Sequence, residues 1–132
     1  MLAAFGNDIS FGYTPQETMM LLSRVILYAQ TDFPGIRIYL CGAGIGLKTV
    51  GMPRWDAAKA EFNGLAKAFC ESHENCTFVD AAQSPLFYEK AEDVGDPSKV
   101  RKDIFVRDLT HFNQQGYDLY GEFFREVLKD IL

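Results

Sequence analysis

Short apolar segments alternate with amphipathic ones along this chain, and that alternation restricts the fold more than any single residue does. Residues 2–5, 36–40 and 77–79 are apolar runs, each stopping at polar or glycine-rich sequence, the mark of short buried strands. Between the first two, Thr14-Pro15-Gln16-Glu17 supplies an N-cap threonine, a proline at the first helical position and a glutamate three residues after the cap. That is a capping box, and it predicts a helix start. Met19, Leu22, Ile26 and Ala29 follow at helical spacing until Asp32-Phe33-Pro34-Gly35 breaks the pattern. A second helix is predicted over residues 55–72, with Ala58, Phe62, Leu65 and Phe69 on one face. A loop rich in Pro, Asp and Lys then runs to Asp108, and a last helix is expected to bury Tyr117, Tyr120, Phe124, Val127 and Ile131.

Apolar strands separated by amphipathic helices imply an α/β fold with a parallel sheet covered on both faces and right-handed crossovers. Three strands are few for such a sheet, and the first, residues 2–5, has an open edge. The expectation is one domain over residues 1–132 whose sheet is missing its first strands. The open edge would pair with a partner or with a second copy of the chain.

Composition excludes some partners. The formal charge of −5 over 132 residues disfavours nucleic acid, whose binding draws on Lys and Arg neutralising phosphates. No apolar run approaches the roughly 18 residues of a membrane span. No export signal is legible, but the front end expected to be missing would take any such signal with it, so the compartment is unknown, with the cytoplasm only as a default. Cys41, Cys70 and Cys76 are an odd set and read as buried free thiols; Cys70, His73 and Cys76 match no strong zinc spacing. The loop with Gly42, Gly44, Gly46 and Gly51 lacks the Lys-Ser/Thr of a phosphate-binding loop and is better read as a loop on the substrate side. Trp55, Phe87 and Tyr88 could line an acyl or sugar pocket, but aromatic residues near helix starts and in loops more often serve as core or lid.

Two polar clusters fall where a parallel α/β sheet builds its site, beyond the strand ends or before a helix. One is Gly6-Asn7-Asp8. The other is the run Asp108-Leu109-Thr110-His111-Phe112-Asn113, followed by Gly116-Tyr117. A carboxylate three residues before a histidine in a turn can accept from one ring nitrogen, which fixes the tautomer and leaves the other nitrogen as a general base. Asn113 stands where it can cap the final helix, and Gly116 where it permits close packing against the sheet.

On these residues the chain resembles the GDSL-type (SGNH) esterase and lipase family. Gly6-Asn7-Asp8 is similar to the shorter form of the family's third block, and Asp108, His111, Asn113, Gly116 and Tyr117 are similar to its last block. The resemblance implies a three-layer αβα, flavodoxin-like parallel sheet. It implies a serine hydrolase acting on carboxylic esters, acylated sugars among them, with a small-molecule ester as substrate and no metal or cofactor. His111 would be the general base, and Asp108 would hold its ring. Asn7 would donate to the oxyanion, a contact worth about 3 kcal/mol in such transition states. Gly6 and Asp8 would support that loop. The family's serine block and the second block, which supplies a glycine N–H, have no counterpart here. The chain therefore looks like the C-terminal two-thirds of such a domain, truncated before the nucleophile. Ser10 and Ser84 are the serines nearest these clusters in sequence or loop position, and neither shows a nucleophile-elbow pattern. The alternative expectation is a non-catalytic remnant or binding module that pairs through its open edge.

Overall fold

The computed structural model describes all residues, 1–132, and the chain divides into two compact units. The first unit comprises Met1–Gly44 and Pro53–Asp80; the second comprises Ile45–Met52 and Ala81–Leu132.

The first unit is built on two parallel strands, β1 (Ile38–Cys41) and β2 (Cys76–Val79), in the register Ile38 to Cys76 through Cys41 to Val79. Leu2 lies beside β1: its N–H donates to the Tyr39 carbonyl and its carbonyl accepts from Cys41 N–H, both at 2.8 Å. The parallel α/β expectation holds at this level, but the predicted first strand, residues 2–5, contracts to that single bridge. The chain then turns into a five-residue helix, α1 (Gly6–Ser10). No side chain caps α1. Tertiary packing holds it instead, because Phe5 and Ile9 are buried one helical turn apart and the Phe5 ring meets Phe62 at 5.2 Å and Trp55 at 6.4 Å.

Helix α2 (Pro15–Asp32) begins as the capping box predicts. Thr14 Oγ1 accepts from Glu17 N–H at 3.1 Å, and the Glu17 carboxylate accepts from Thr14 N–H at 2.9 Å. Met19, Leu22 and Ile26 form its buried stripe. The turn beyond it uses Gly35 at φ 86°, a left-handed position that costs glycine little. Helix α3 (Pro53–Glu71) links β1 to β2 and packs on both α2 and β2. Ile26, Leu40, Phe62 and Ala66 are fully enclosed at 0% exposure. Each large member of that core contributes about 1.5–3 kcal/mol through apolar area removed from water.

The second unit has little regular structure before its helix. Residues 81–104 pass through five single 3-10 turns, Ala81–Gln83, Pro85–Phe87, Ala91–Asp93, Pro97–Lys99 and Lys102–Ile104. Two have proline at the first position, and Ser84 and Asp96 cap them by accepting from Leu86 N–H and Ser98 N–H. Antiparallel bridges pair Tyr88 with Val100 and Phe105 with Phe112. Helix α4 (Gln114–Val127) lays Phe123 and Tyr120 against the fully buried Phe87.

The buried stripe of α4 differs from the sequence expectation. Gly116 and Phe123 are its buried residues, with Leu119, Tyr120, Phe124 and Val127 half-buried. Tyr117 is 59% exposed and Ile131 lies exposed past the helix end. The stripe is rotated because Gly116 occupies the closest contact: a Cβ there would stand 2.7 Å from Phe112 Cδ1 and would also strike the Ile104 carbonyl oxygen. That close approach is to Ile104 and Phe112 within this unit, not to the sheet as expected, because the 3-10 turn at Lys102–Ile104 and the bridge at Phe112 lie under the first turn of α4. No helix of the chain is long and apolar enough to cross a membrane.

Candidate functional site

The turn Asp108 to His111 follows from local hydrogen bonding in sequence order. Asp108 Oδ1 accepts from the N–H groups of both Thr110 and His111, each at 2.9 Å, the pattern by which Asp side chains close turns on the following residues. Leu109, between them, is held at φ 57°. A non-glycine residue there is strained unless its surroundings impose the conformation. They do so from both sides. Leu109 N–H donates to Val106 O at 3.0 Å, while Leu109 O accepts from Leu47 N–H at 2.8 Å and Lys48 N–H at 3.3 Å.

The second carboxylate oxygen of Asp108 reaches the imidazole, with Oδ2 at 2.5 Å from His111 Nδ1. The contact to His111 Nδ1, followed by the two backbone donors, holds the Asp108 carboxyl far below the usual carboxylate range. An ionised carboxylate only accepts. Nδ1 therefore carries a proton, and in the neutral ring the lone pair lies on Nε2. The histidine side chain is 73% exposed, so the ring is fixed by its partner rather than by burial. A neutral imidazole with Nδ1–H held by a carboxylate and Nε2 open can take a proton from a hydroxyl or a water and later return it.

Asn113 anchors this turn to α4. Its side-chain oxygen accepts from Gly116 N–H at 3.0 Å, capping the helix as expected, and its Nδ2 donates to Asp103 O at 2.7 Å and Phe105 O at 3.3 Å. Phe112 stacks on Phe105 with ring centroids 5.3 Å apart. The residues flanking His111 are thus set by a bridge, a cap and an aromatic stack.

Gly6, Asn7 and Asp8, expected as a polar loop at a strand end, instead form the first turn of α1 in the other compact unit. Asn7 is exposed, and its carbonyl accepts from Phe11 N–H at 2.9 Å. Asp8 is half-buried, with its carbonyl taking Tyr13 N–H at 3.0 Å. The structure brings Asp108 and His111 together and leaves the two clusters in separate units. Ser84 is 7% exposed and serves as a turn cap, while Ser10 is the exposed last residue of α1. Phe87 and Tyr88 are core: Phe87 is fully enclosed, and the Tyr88 hydroxyl donates to Ala82 O at 2.8 Å.

Sequence reasoning missed the strap formed by Gly46, Leu47 and Lys48. That stretch reads as a loop on the substrate side, whereas residues 45–52 pack within the second unit and bind Leu109 through two backbone N–H groups. Gly46 was the available signal. A Cβ there would lie 3.3 Å from Thr110 Cα and 3.4 Å from Leu109 O, so the strap approaches the turn at backbone distance. The chain matches no protein-family model and no curated protein.

Proposed function

We propose that the chain carries the general-base half of a GDSL-type (SGNH) serine ester hydrolase acting on carboxylic esters, with acylated sugars as candidate substrates. The observation that supports this most is the Asp108–His111 pair. One carboxylate oxygen is committed to backbone N–H groups and the other to Nδ1, on a histidine side chain that is 73% exposed. In this reading His111 Nε2 takes the proton of the attacking hydroxyl and delivers it to the leaving alcohol. Asp108 stabilises the imidazolium formed between those steps without itself becoming protonated. By its resemblance to the family's third block Asn7 is the candidate oxyanion donor, with Gly6 and Asp8 supporting its turn in the first unit, and no serine among these residues is assigned as the nucleophile. The finer architecture that goes with this reading is the three-layer SGNH sheet.

The test is hydrolysis of ethyl dichloroacetate, whose activated acyl group and poor alkoxide leaving group make it report a general base acting on water rather than direct attack by the ring. His111→Ala should lower the rate by about 100-fold or more, within the range of general-base contributions, and Asp108→Ala should fall between that variant and the parent. Equal rates for the parent and His111→Ala would refute the reading.

A further inference from the structure

Cys70 stands in the last turn of α3 and Cys76 opens β2. Residues 71–75 return the chain between them through Asn75 at φ 56°, and Gln30 Nε2 pins that return by donating to Glu74 O at 2.9 Å. The result is an Sγ to Sγ separation of 2.9 Å between two free thiols, closer than two sulfur atoms pack without a hydrogen or a bond between them. A disulfide is about 2.05 Å long and needs side chains already aimed at one another. Here less than an ångström of sulfur movement remains.

The two thiols differ in access. Cys70 is buried at 6% exposure and Cys76 is half-buried. Burial, and after it the neighbouring Cys76 thiol, pushes the Cys70 thiol up to about 12. The third cysteine, Cys41, is buried in β1.

We propose that Cys70 and Cys76 are an oxidisable thiol pair that reacts with low-molecular-weight disulfides of the glutathione type, closing a bridge between the end of α3 and the start of β2. Cys76, the accessible member, loses its proton to solvent and attacks one sulfur of oxidised glutathione, expelling one glutathione thiolate. Cys70 then gives up its proton, and its thiolate attacks Cys76 Sγ in the mixed disulfide, expelling the second glutathione. Two protein thiols are oxidised and one external disulfide is reduced to two thiols, so electrons and protons balance. The second step is the slow one at neutral pH, because burial disfavours the attacking Cys70 thiolate, and it accelerates as pH rises.

The experiment is intact-mass analysis and non-reduced peptide mapping of the full chain incubated with oxidised glutathione across a pH series. The parent should lose two hydrogens, map to a peptide linked through Cys70 and Cys76, and keep Cys41 as a free thiol, with closure faster at higher pH. Cys70→Ala should stop at a glutathione adduct on Cys76. Cys76→Ser should leave Cys70 reduced while the chain is folded. A parent that accumulates the Cys76 adduct without closing would overturn the proposal. So would a bridge to Cys41, or three thiols left intact under conditions that oxidise the urea-unfolded chain.

Discussion

Gly116→Ala and Gly121→Ala make the same chemical change in the same helix, and the structure predicts opposite signs for them. In an open helical position the methyl group stabilises by up to about 1 kcal/mol, because alanine loses less backbone entropy than glycine. Gly121 is such a position, since the nearest atom to its added Cβ is Arg125 Nη1, the end of a flexible side chain, at 4.0 Å. Gly116 is not. Its Cβ would meet Phe112 Cδ1 at 2.7 Å and Phe112 Cβ at 2.8 Å, and would strike the Ile104 carbonyl oxygen. Backbone cannot rotate away as a side-chain tip can, so the cost belongs near the top of the roughly 1–3 kcal/mol range for overpacking. Displacing α4 also weakens the Asn113 cap on Gly116 N–H, a contact worth about 1 kcal/mol. Against a propensity gain of about 1 kcal/mol, the balance is a net loss of about 2–3 kcal/mol. Urea denaturation followed by far-ultraviolet circular dichroism reads both variants. Gly121→Ala should move the midpoint up and Gly116→Ala well down. A Gly116→Ala chain as stable as the parent would refute the packing argument.

Two further outcomes follow from the turn itself. Gly46→Val should weaken the strap, since even its Cβ would press on Thr110 Cα at 3.3 Å; faster amide hydrogen exchange at Leu47 and Lys48 reads the loss of their bonds to Leu109 O, and unchanged protection would contradict it. The Asp108 carboxyl should remain ionised in the folded chain at pH 3.8, where an ordinary aspartate is half protonated. Its folded value is depressed, so the associated stabilisation is present above the ordinary aspartate value and is lost as pH falls through the lower folded one. Carboxyl carbon NMR shifts through an acid titration check this, and a midpoint at the ordinary value would refute it.

The legible parts of the fold were those governed by local chemistry. The capping box at Thr14 and Glu17 and the cap at Asn113 needed only neighbours in sequence, and both formed as expected. The apolar periodicity of α2 likewise named Met19, Leu22 and Ile26, which are buried. The Asp108–His111 contact was readable for the same reason, being closed within one turn. What stayed hidden depends on distant residues. Residues 6–10 carry turn-like sequence and no cap, and become helical because Phe5 and Ile9 find the core. The α4 stripe was misassigned because apolar ranking favours Tyr117 over Gly116, whereas the position against Ile104 and Phe112 admits no side chain. The strap on Leu109 is made by backbone N–H groups of Leu47 and Lys48, which carry no side-chain signature, and Gly46, whose missing Cβ permits the approach, is its one mark in the sequence.

The most direct test is the protonation of the His111 ring, read from nitrogen-15 shifts in long-range proton–nitrogen correlation spectra at mildly alkaline pH, in the parent and in Asp108→Ala. The geometry predicts a proton on Nδ1 and a bare Nε2 in the parent, with the population moving toward Nε2–H once the carboxylate is removed. An Nε2–H tautomer in the parent, or a ring indifferent to the loss of Asp108, would contradict the general-base role proposed for His111.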